Sequence, residues 1–310
     1  GSVLEVDNPA TGAVIGTVPQ MGTNDVRRAI DAAADAWPKW RELTPSGRAA
    51  CLFRWGELIN ENKEDLAQIM TYEQGKPVAE ALGEIALGHS YVPWYAEECR
   101  RVYGDVIPAP KKGIRPITHK QPIGPVAAIT PWNFPMSMVT RKAAPALAAG
   151  CPVILKPASA TPFTALALAE LAQRAGFPAG VFNVVTGNAT VVGNEISSNP
   201  KIRKISFTGS TAIGKKLMAD SAATMKGLSL ELGGNAPFLV FDDADLETVL
   251  AGCMGSKFRN AGQACISTNR ALIQKGISAK FIEQIVERVR GLKIGNGFDD
   301  GVHCRDGRME

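Results

Sequence analysis

Cys265 lies in Phe258-Arg-Asn-Ala-Gly-Gln-Ala-Cys-Ile-Ser-Thr-Asn-Arg270, a polar, glycine-containing setting that a structural thiol does not usually get. A free cysteine standing alone reads first as a small buried hydrophobe. This one has company. Thirty-four residues upstream, Leu230-Glu-Leu-Gly-Gly-Asn235 sets the Glu231 carboxylate just ahead of two glycines, which permit close backbone approach to a ligand. Further up, Pro131-Trp-Asn-Phe-Pro135 holds the Asn133 amide between two prolines. A thiol nucleophile, a carboxylate and an amide donor fit one covalent chemistry. Two of them also have plainer readings: Glu231 as a surface acid or helix-cap partner, Asn133 as the closer of an Asx turn.

The elements that must position these residues change character along the chain. The first hundred residues read mainly as helices, at 25–37 after a Thr23-Asn24 cap signal, at 45–62, at 63–74 and at 78–101. Residues 104–121 switch to short β-prone pieces around Pro108-Ala-Pro110 and Lys111-Lys-Gly113, which predicts a protruding hairpin. Alternation follows, with strands at 126–130, 152–156, 181–185 and 204–208 and helices at 141–149, 162–175, 190–197 and 211–222. Thr161-Pro162 reads as an N-cap followed by proline at the first helical position. Strands separated by helices of this length predict the α/β class with a doubly wound parallel sheet. Ligands of such sheets bind beyond the carboxyl ends of the strands, where Asn133, Lys156 to Ser159 and Gly209-Ser210 fall. After Gly233-Gly234 a second α/β region begins, with a strand at 238–241, a helix at 245–259, a strand at 271–274 and a helix at 279–292. The polar residues 303–310 carry no pattern, as if this region were cut short.

Phe207-Thr-Gly-Ser-Thr-Ala-Ile-Gly214 follows a strand and opens a helix, so its backbone N–H groups suit a phosphate. A turn needing glycines for local reasons reads equally well. The segment from Gly209 to Lys216 misses the P-loop pattern, because Lys216 stands where a magnesium-binding hydroxyl belongs; a P-loop phosphotransferase stays a remote alternative. Lys156 ends another strand, either solvated or reaching ribose hydroxyls and phosphate.

With 310 residues, 45% of them hydrophobic, the chain is long enough for one large or two ordinary domains. The apolar runs are too short to span a membrane, and no secretory leader is read at the start. A formal net charge of +4 spread over 34 basic and 30 acidic residues offers no basic face for nucleic acid. Cysteines 51, 99, 151, 253, 265 and 304 form no C-x-x-C pair and the three histidines are scattered, so neither a metal site nor a disulfide framework is expected, and a reducing cytoplasm is.

Pro131-Trp-Asn-Phe-Pro135, Leu155-Lys-Pro157, Phe207-Thr-Gly-Ser-Thr211, Leu230-Glu-Leu-Gly-Gly-Asn235 and Gly262-Gln-Ala-Cys265 together resemble the aldehyde dehydrogenase superfamily, and within it the succinate-semialdehyde dehydrogenase group, over the chain to about Val302. The resemblance implies a dinucleotide-binding domain over 1–103 and 122–233, an oligomerisation arm over 104–121, and a partial catalytic domain over 234–310. It implies Cys265 as the nucleophile that adds to an aldehyde, Asn133 and the Cys265 backbone N–H as holders of the oxyanion, and Glu231 as the base that activates water against a thioester. Thr130, Trp132, Lys156, Ser159, Gly209, Ser210, Gly214 and Leu232 take cofactor-binding places. Arg141 and Arg259 would hold a distal substrate carboxylate; salt bridges within the protein are their other reading. NAD-preferring members often carry a Glu at the Ser159 place, so the small hydroxyl beside Lys156 points to NADP ahead of NAD. Ser267 replaces the second cysteine that some members of the group carry, so a disulfide lock on Cys265 is not expected.

The expected activity is oxidation of a small aldehyde, succinate semialdehyde first, by a dimer or tetramer joined through the arm. The alternative is a truncated dinucleotide-binding or subunit-interaction protein without turnover.

Overall fold

The computed structural model describes residues 1–305. Its first elements are strands: β1 (Val3–Asp7) and β2 (Val14–Pro19) form an antiparallel pair where no strand was expected. Val6 and Val18 turn inward and are buried, while most of their neighbours face solvent; so short an alternation is a weak signal in sequence.

Four helices follow, α1 (Thr23–Glu42), α2 (Pro45–Glu61), α3 (Lys63–Gln74) and α4 (Val78–Glu98). They build a core around Trp40, Trp55 and Met70, in which each indole N–H finds a carbonyl, Trp40 at Leu147 (3.2 Å) and Trp55 at Leu168 (3.0 Å). The segment 104–121 is a sparse hairpin, with one antiparallel bridge between Val106 and Ile117 and flanking bonds from the Ile107 and Thr118 amides. Prolines 108, 110 and 116 remove ladder donors, and Val106, Ile107, Ile114 and Ile117 are exposed.

The central sheet is parallel, in the order β5-β4-β3-β6-β7: β3 (Val126–Ile129), β4 (Val153–Lys156), β5 (Phe182–Val184), β6 (Lys204–Gly209) and β7 (Gly227–Leu232). β3 and β4 are nearly unbroken apolar runs because helices cover both their faces. The connections are α5 (Ser137–Ala148), α6 (Phe163–Arg174), α7 (Ala189–Ser198) and α8 (Thr211–Ser221). The chain runs outward from β3 to β5 and returns to lay β6 on the other side of β3. Strand order therefore reverses between β3 and β6, which opens a crevice at their carboxyl ends. β7 was not expected as a strand; it makes Glu231 a strand-end residue in register with Thr208. A second, two-stranded parallel sheet pairs β8 (Ala236–Val240) with β9 (Thr268–Ile273), backed by α9 (Leu246–Lys257) and α10 (Lys275–Arg290). Its core is small, around Leu250, Cys253 and Phe281, and Leu239, Phe241 and Leu272 remain exposed. Of the patternless residues 303–310, those from 306 lie outside the described residues.

Four helices begin elsewhere than their sequence signals place them. α1 starts at Thr23, so the Thr23-Asn24 cap signal falls inside the helix and Gly22 takes the N-cap, its amide donating to the Asp25 carboxylate. α5 starts at Ser137 instead of 141, because the Glu84 carboxylate of α4 accepts from the Met136 (2.9 Å) and Ser137 (3.0 Å) amides. α6 is capped not by Thr161, whose hydroxyl is buried without a partner, but by Glu73 of α3, which accepts from the Phe163 and Thr164 amides and the Thr164 hydroxyl. Burial pushes the Glu73 carboxyl up to about 7, against the pull of those three donors. α10 starts at Lys275 instead of 279, with Asp242 accepting from the Ile277 amide at 3.1 Å. Carboxylates at helix N-termini satisfy orphan N–H groups and complement the dipole, whatever their distance along the chain.

Gly187 joins β5 to α7 at φ +134°, and a Cβ there would lie 2.5 Å from the Met21 carbonyl. Gly187→Ala is expected to cost about 1–3 kcal/mol in urea denaturation, because both the backbone angle and the backbone neighbour resist relief. An unchanged midpoint would show that this turn moves freely.

Candidate active site

Two clefts open at the crevice between β3 and β6. The first, of about 400 Å³, is lined by Trp132, Asn133 and Phe134 from the turn after β3, by Thr208, Gly209 and Ser210 from the end of β6, by Glu231 from β7, and by Gly262, Gln263, Ala264 and Cys265. Residues 130 positions apart in sequence thus face one space. The second, of about 410 Å³, shares Pro131, Trp132, Thr208, Gly209 and Ser210 with the first and adds Thr130, Lys156, Ser159, Thr190 and Lys216. The two clefts have a common wall, and the α8 N-terminus forms part of it.

Cys265 is exposed, whereas Cys99, Cys151 and Cys253 are buried and Cys51 is partly covered. The loop before it is held in an unusual shape. Asn260 (φ 53°), Ala261 (φ 54°) and Gly262 (φ 78°) are consecutive left-handed residues, a conformation costly for Ala and natural for Gly. The Glu80 carboxylate of α4 holds this turn by accepting from the Asn260 amide at 2.9 and 3.2 Å. Ser267, at the place of a possible second thiol, is buried and donates to the Lys257 carbonyl.

The Asn133 side-chain amide donates to the Gln263 carbonyl at 2.8 Å, which ties the turn after β3 to the Cys265 loop and leaves its second N–H for another acceptor. Its Oδ1 is buried without a partner, as is Gln263 Oε1. Glu231 is exposed at the end of β7. Below it Lys142 is buried, its Nζ 3.3 Å from Ser206 Oγ; burial pushes its ammonium down to about 8, Arg141 pushes the same way and Glu231 pulls it up.

In the second cleft, Lys156 is buried and donates to the Pro157 carbonyl at 2.6 Å; burial alone lowers its ammonium to about 8. Thr130 is buried, its amide donating to the Lys156 carbonyl, and Ser159 is exposed. Ser210 caps α8 by accepting from the Ile213 amide. Gly214 and Leu232 line neither cleft; they pack on each other, and a Cβ on Gly214 would fall 2.5 Å from a Leu232 methyl. Arg259 is exposed beside the first cleft, its guanidinium carbon 5.2 Å from the centre of the Phe134 ring. Arg141 lines a separate groove with Lys142, Lys204 and Ser229. Lys76, Glu80 and Glu84 escaped the sequence reading. Their signal was faint: Glu84 occupies a core-facing helical position beside Ala81 and Ile85. No group of three or more His, Cys, Asp or Glu side chains is placed to hold a metal among the described residues, and no helix there is long and apolar enough to cross a membrane.

The sequence profile described as "Aldehyde dehydrogenase family" matches residues 1–304. The chain belongs to the aldehyde dehydrogenase family. It is 58% identical over 302 residues to the succinate-semialdehyde dehydrogenase [NADP(+)] of Escherichia coli, a match covering 97% of this chain and 63% of that protein. It is 58% identical over 301 residues to a glutarate-semialdehyde dehydrogenase of Pseudomonas putida, with the same coverage. Among solved structures, an E. coli NADP-dependent enzyme superimposes with a TM-score of 0.97 at 57% identity, covering 98% of this chain and 63% of that one. The aldehyde dehydrogenase fold is therefore shared in detail, and the chain spans somewhat less than two thirds of the length of these relatives.

Proposed function

We propose that the protein oxidises an aldehyde bearing a distal carboxylate, succinate semialdehyde first, to the corresponding acid. The observation that carries this reading is the meeting of Cys265, Asn133 and Glu231 in one cleft, with a cofactor-sized cleft sharing its wall. The Cys265 thiolate adds to the aldehyde carbon and converts the carbonyl oxygen to an oxyanion. The free N–H of the Asn133 amide and the Cys265 backbone N–H hold that charge. When bound, the nicotinamide supplies the acceptor for the hydride that leaves the tetrahedral carbon, and the substrate remains as a thioester on Cys265. Glu231 takes a proton from water, the hydroxide displaces the thiolate, and the acid leaves. Arg259 and Arg141 offer guanidiniums for the far carboxylate.

The second cleft suits a dinucleotide phosphate: Gly209, Ser210 and the first turn of α8 present backbone donors, and Lys156 brings a positive charge. Thr130 and Trp132 would form its wall. Ser159 puts a small hydroxyl, not a carboxylate, beside Lys156, which favours the 2′-phosphate of NADP over NAD. The exposed apolar residues of the 104–121 hairpin support a homo-oligomer joined through that arm, and the exposed thiol suits a reducing cytoplasm. We assign 1–103 and 122–233 to cofactor binding and 234–310 to the catalytic part.

Formation of NADPH from succinate semialdehyde, followed by absorbance, tests the activity. NADP binding without NADPH formation would favour the second reading, a dinucleotide-binding chain without turnover. A pH dependence follows from Lys156. Its ammonium, lowered to about 8 in the free protein, is charged below that pH and neutral above it. NADP affinity is expected to be highest near pH 7, where the ammonium is charged and the 2′-phosphate is a dianion, and to weaken towards about tenfold per pH unit above pH 8, with proton uptake on binding there. Calorimetric titration of the protein and of Lys156→Met checks this. A profile equally steep in the variant would remove Lys156 from the phosphate site.

A further inference from the structure

We propose that Lys76 and Asn260 are positioning residues that clamp the Asn133 carbonyl and so fix the Asn133 amide relative to Cys265; this rests on the catalytic reading given above.

Lys76, in the turn between α3 and α4, is 2% exposed. Burying an ammonium costs several kcal/mol unless its donors are satisfied. Lys76 Nζ donates to the Glu84 carboxylate and, at 2.9 Å, to the backbone carbonyl of Asn133, and it sits 4.5 Å over the Phe134 ring. Glu84 in turn accepts from the Met136 and Ser137 amides. The pair therefore grips the segment 133–137 at both ends, by a carbonyl and by two amides. Burial lowers the Lys76 ammonium while Glu84 raises it.

Asn260 carries an independent observation. Its Nδ2 donates to the same Asn133 carbonyl at 2.9 Å and to the Gln263 carbonyl at 3.2 Å. Its own amide is held by Glu80, and it is the first of the three left-handed residues that lead to Cys265. One carbonyl thus receives a donor from the helical layer and another from the nucleophile loop. The side chain on the same residue, Asn133, bonds back to Gln263. The two halves of the cleft, 130 residues apart, are set against each other through this atom. A displacement of about 1 Å at such a site is worth roughly a hundredfold in rate.

The test uses Lys76→Met and Asn260→Gly in the full chain. Lys76→Met keeps the volume but leaves Glu84 without its counter-charge, so it risks unfolding. Asn260→Gly leaves the ion pair intact and suits the φ of 53°, so it keeps the question open to measurement. Three quantities are measured: kcat and KM for NADPH formation, the NADP dissociation constant, and hydrogen exchange in peptides covering 131–140 and 258–268. Each folded variant is expected to lose about 10- to 100-fold in kcat with NADP affinity within about twofold of the parent, and to exchange faster in those two segments only. Unchanged kcat in an active enzyme, or unchanged exchange in the two segments of Asn260→Gly, overturns the clamp. If the parent binds NADP yet forms no NADPH, the catalytic reading falls, and the exchange comparison alone decides whether the clamp exists.

Discussion

Cys265→Ala is expected to lower NADPH formation from succinate semialdehyde by about 10⁴-fold or more while leaving NADP binding within about twofold. Alanine cannot add to a carbonyl, and an aldehyde that stays trigonal has no hydride to give. Removing a nucleophile removes the covalent route entirely, unlike the loss of one oxyanion donor, which costs about 10²–10³-fold. The cofactor cleft does not include Cys265, so binding and turnover separate cleanly. A matching chemical check uses a haloacetamide at neutral pH. Cys265 is exposed, whereas burial covers Cys99, Cys151 and Cys253 and pushes their thiols up, so Cys265 is expected to label before those three by mass spectrometry. Equal turnover in the alanine variant would remove Cys265 from the mechanism.

Glu84→Ala is expected to be the most damaging stability change among the charged residues of α4. It strands the Lys76 ammonium in the interior and orphans the Met136 and Ser137 amides at the start of α5. Breaking a buried pair by removing one partner costs about 3–5 kcal/mol, a large share of the roughly 5–15 kcal/mol that holds a protein folded. The corresponding drop in Tm is on the order of 10 °C. The double variant Lys76→Met/Glu84→Ala recovers part of this loss, because no buried charge is left unpaired. Urea denaturation of both variants measures the difference. A single variant within about 1 kcal/mol of the parent would mean that water reaches Lys76 and solvates it.

Much of the frame was legible because it repeats local rules. The runs at 126–129 and 153–155 are apolar throughout since both faces are covered, and the helices between them carry the expected spacing. β1 and β2 escaped because short strands with only Val6 and Val18 turned inward leave little pattern. β7 escaped because its alternation, Leu228, Leu230 and Leu232 against Ser229 and Glu231, was read as a motif rather than as a strand. The starts of α5, α6 and α10 were misplaced for one shared reason: their caps, Glu84, Glu73 and Asp242, come from distant segments, and local cap signals such as Thr161 go unused.

By itself the sequence determined which groups are proposed to react, the thiol of Cys265, the amide of Asn133 and the carboxylate of Glu231, together with the alternating pattern that sets strand ends beside one another. Side-chain chemistry and short-range periodicity are properties of the chain, so they can be read along it. Tertiary structure decided the geometry: which residues share a cleft, that Gly214 and Leu232 pack on each other, and that Lys76 and Asn260 grip one carbonyl. Those facts depend on hydrogen bonds and contacts between segments far apart in the chain, and only closing the sheet and its helices brings such segments together.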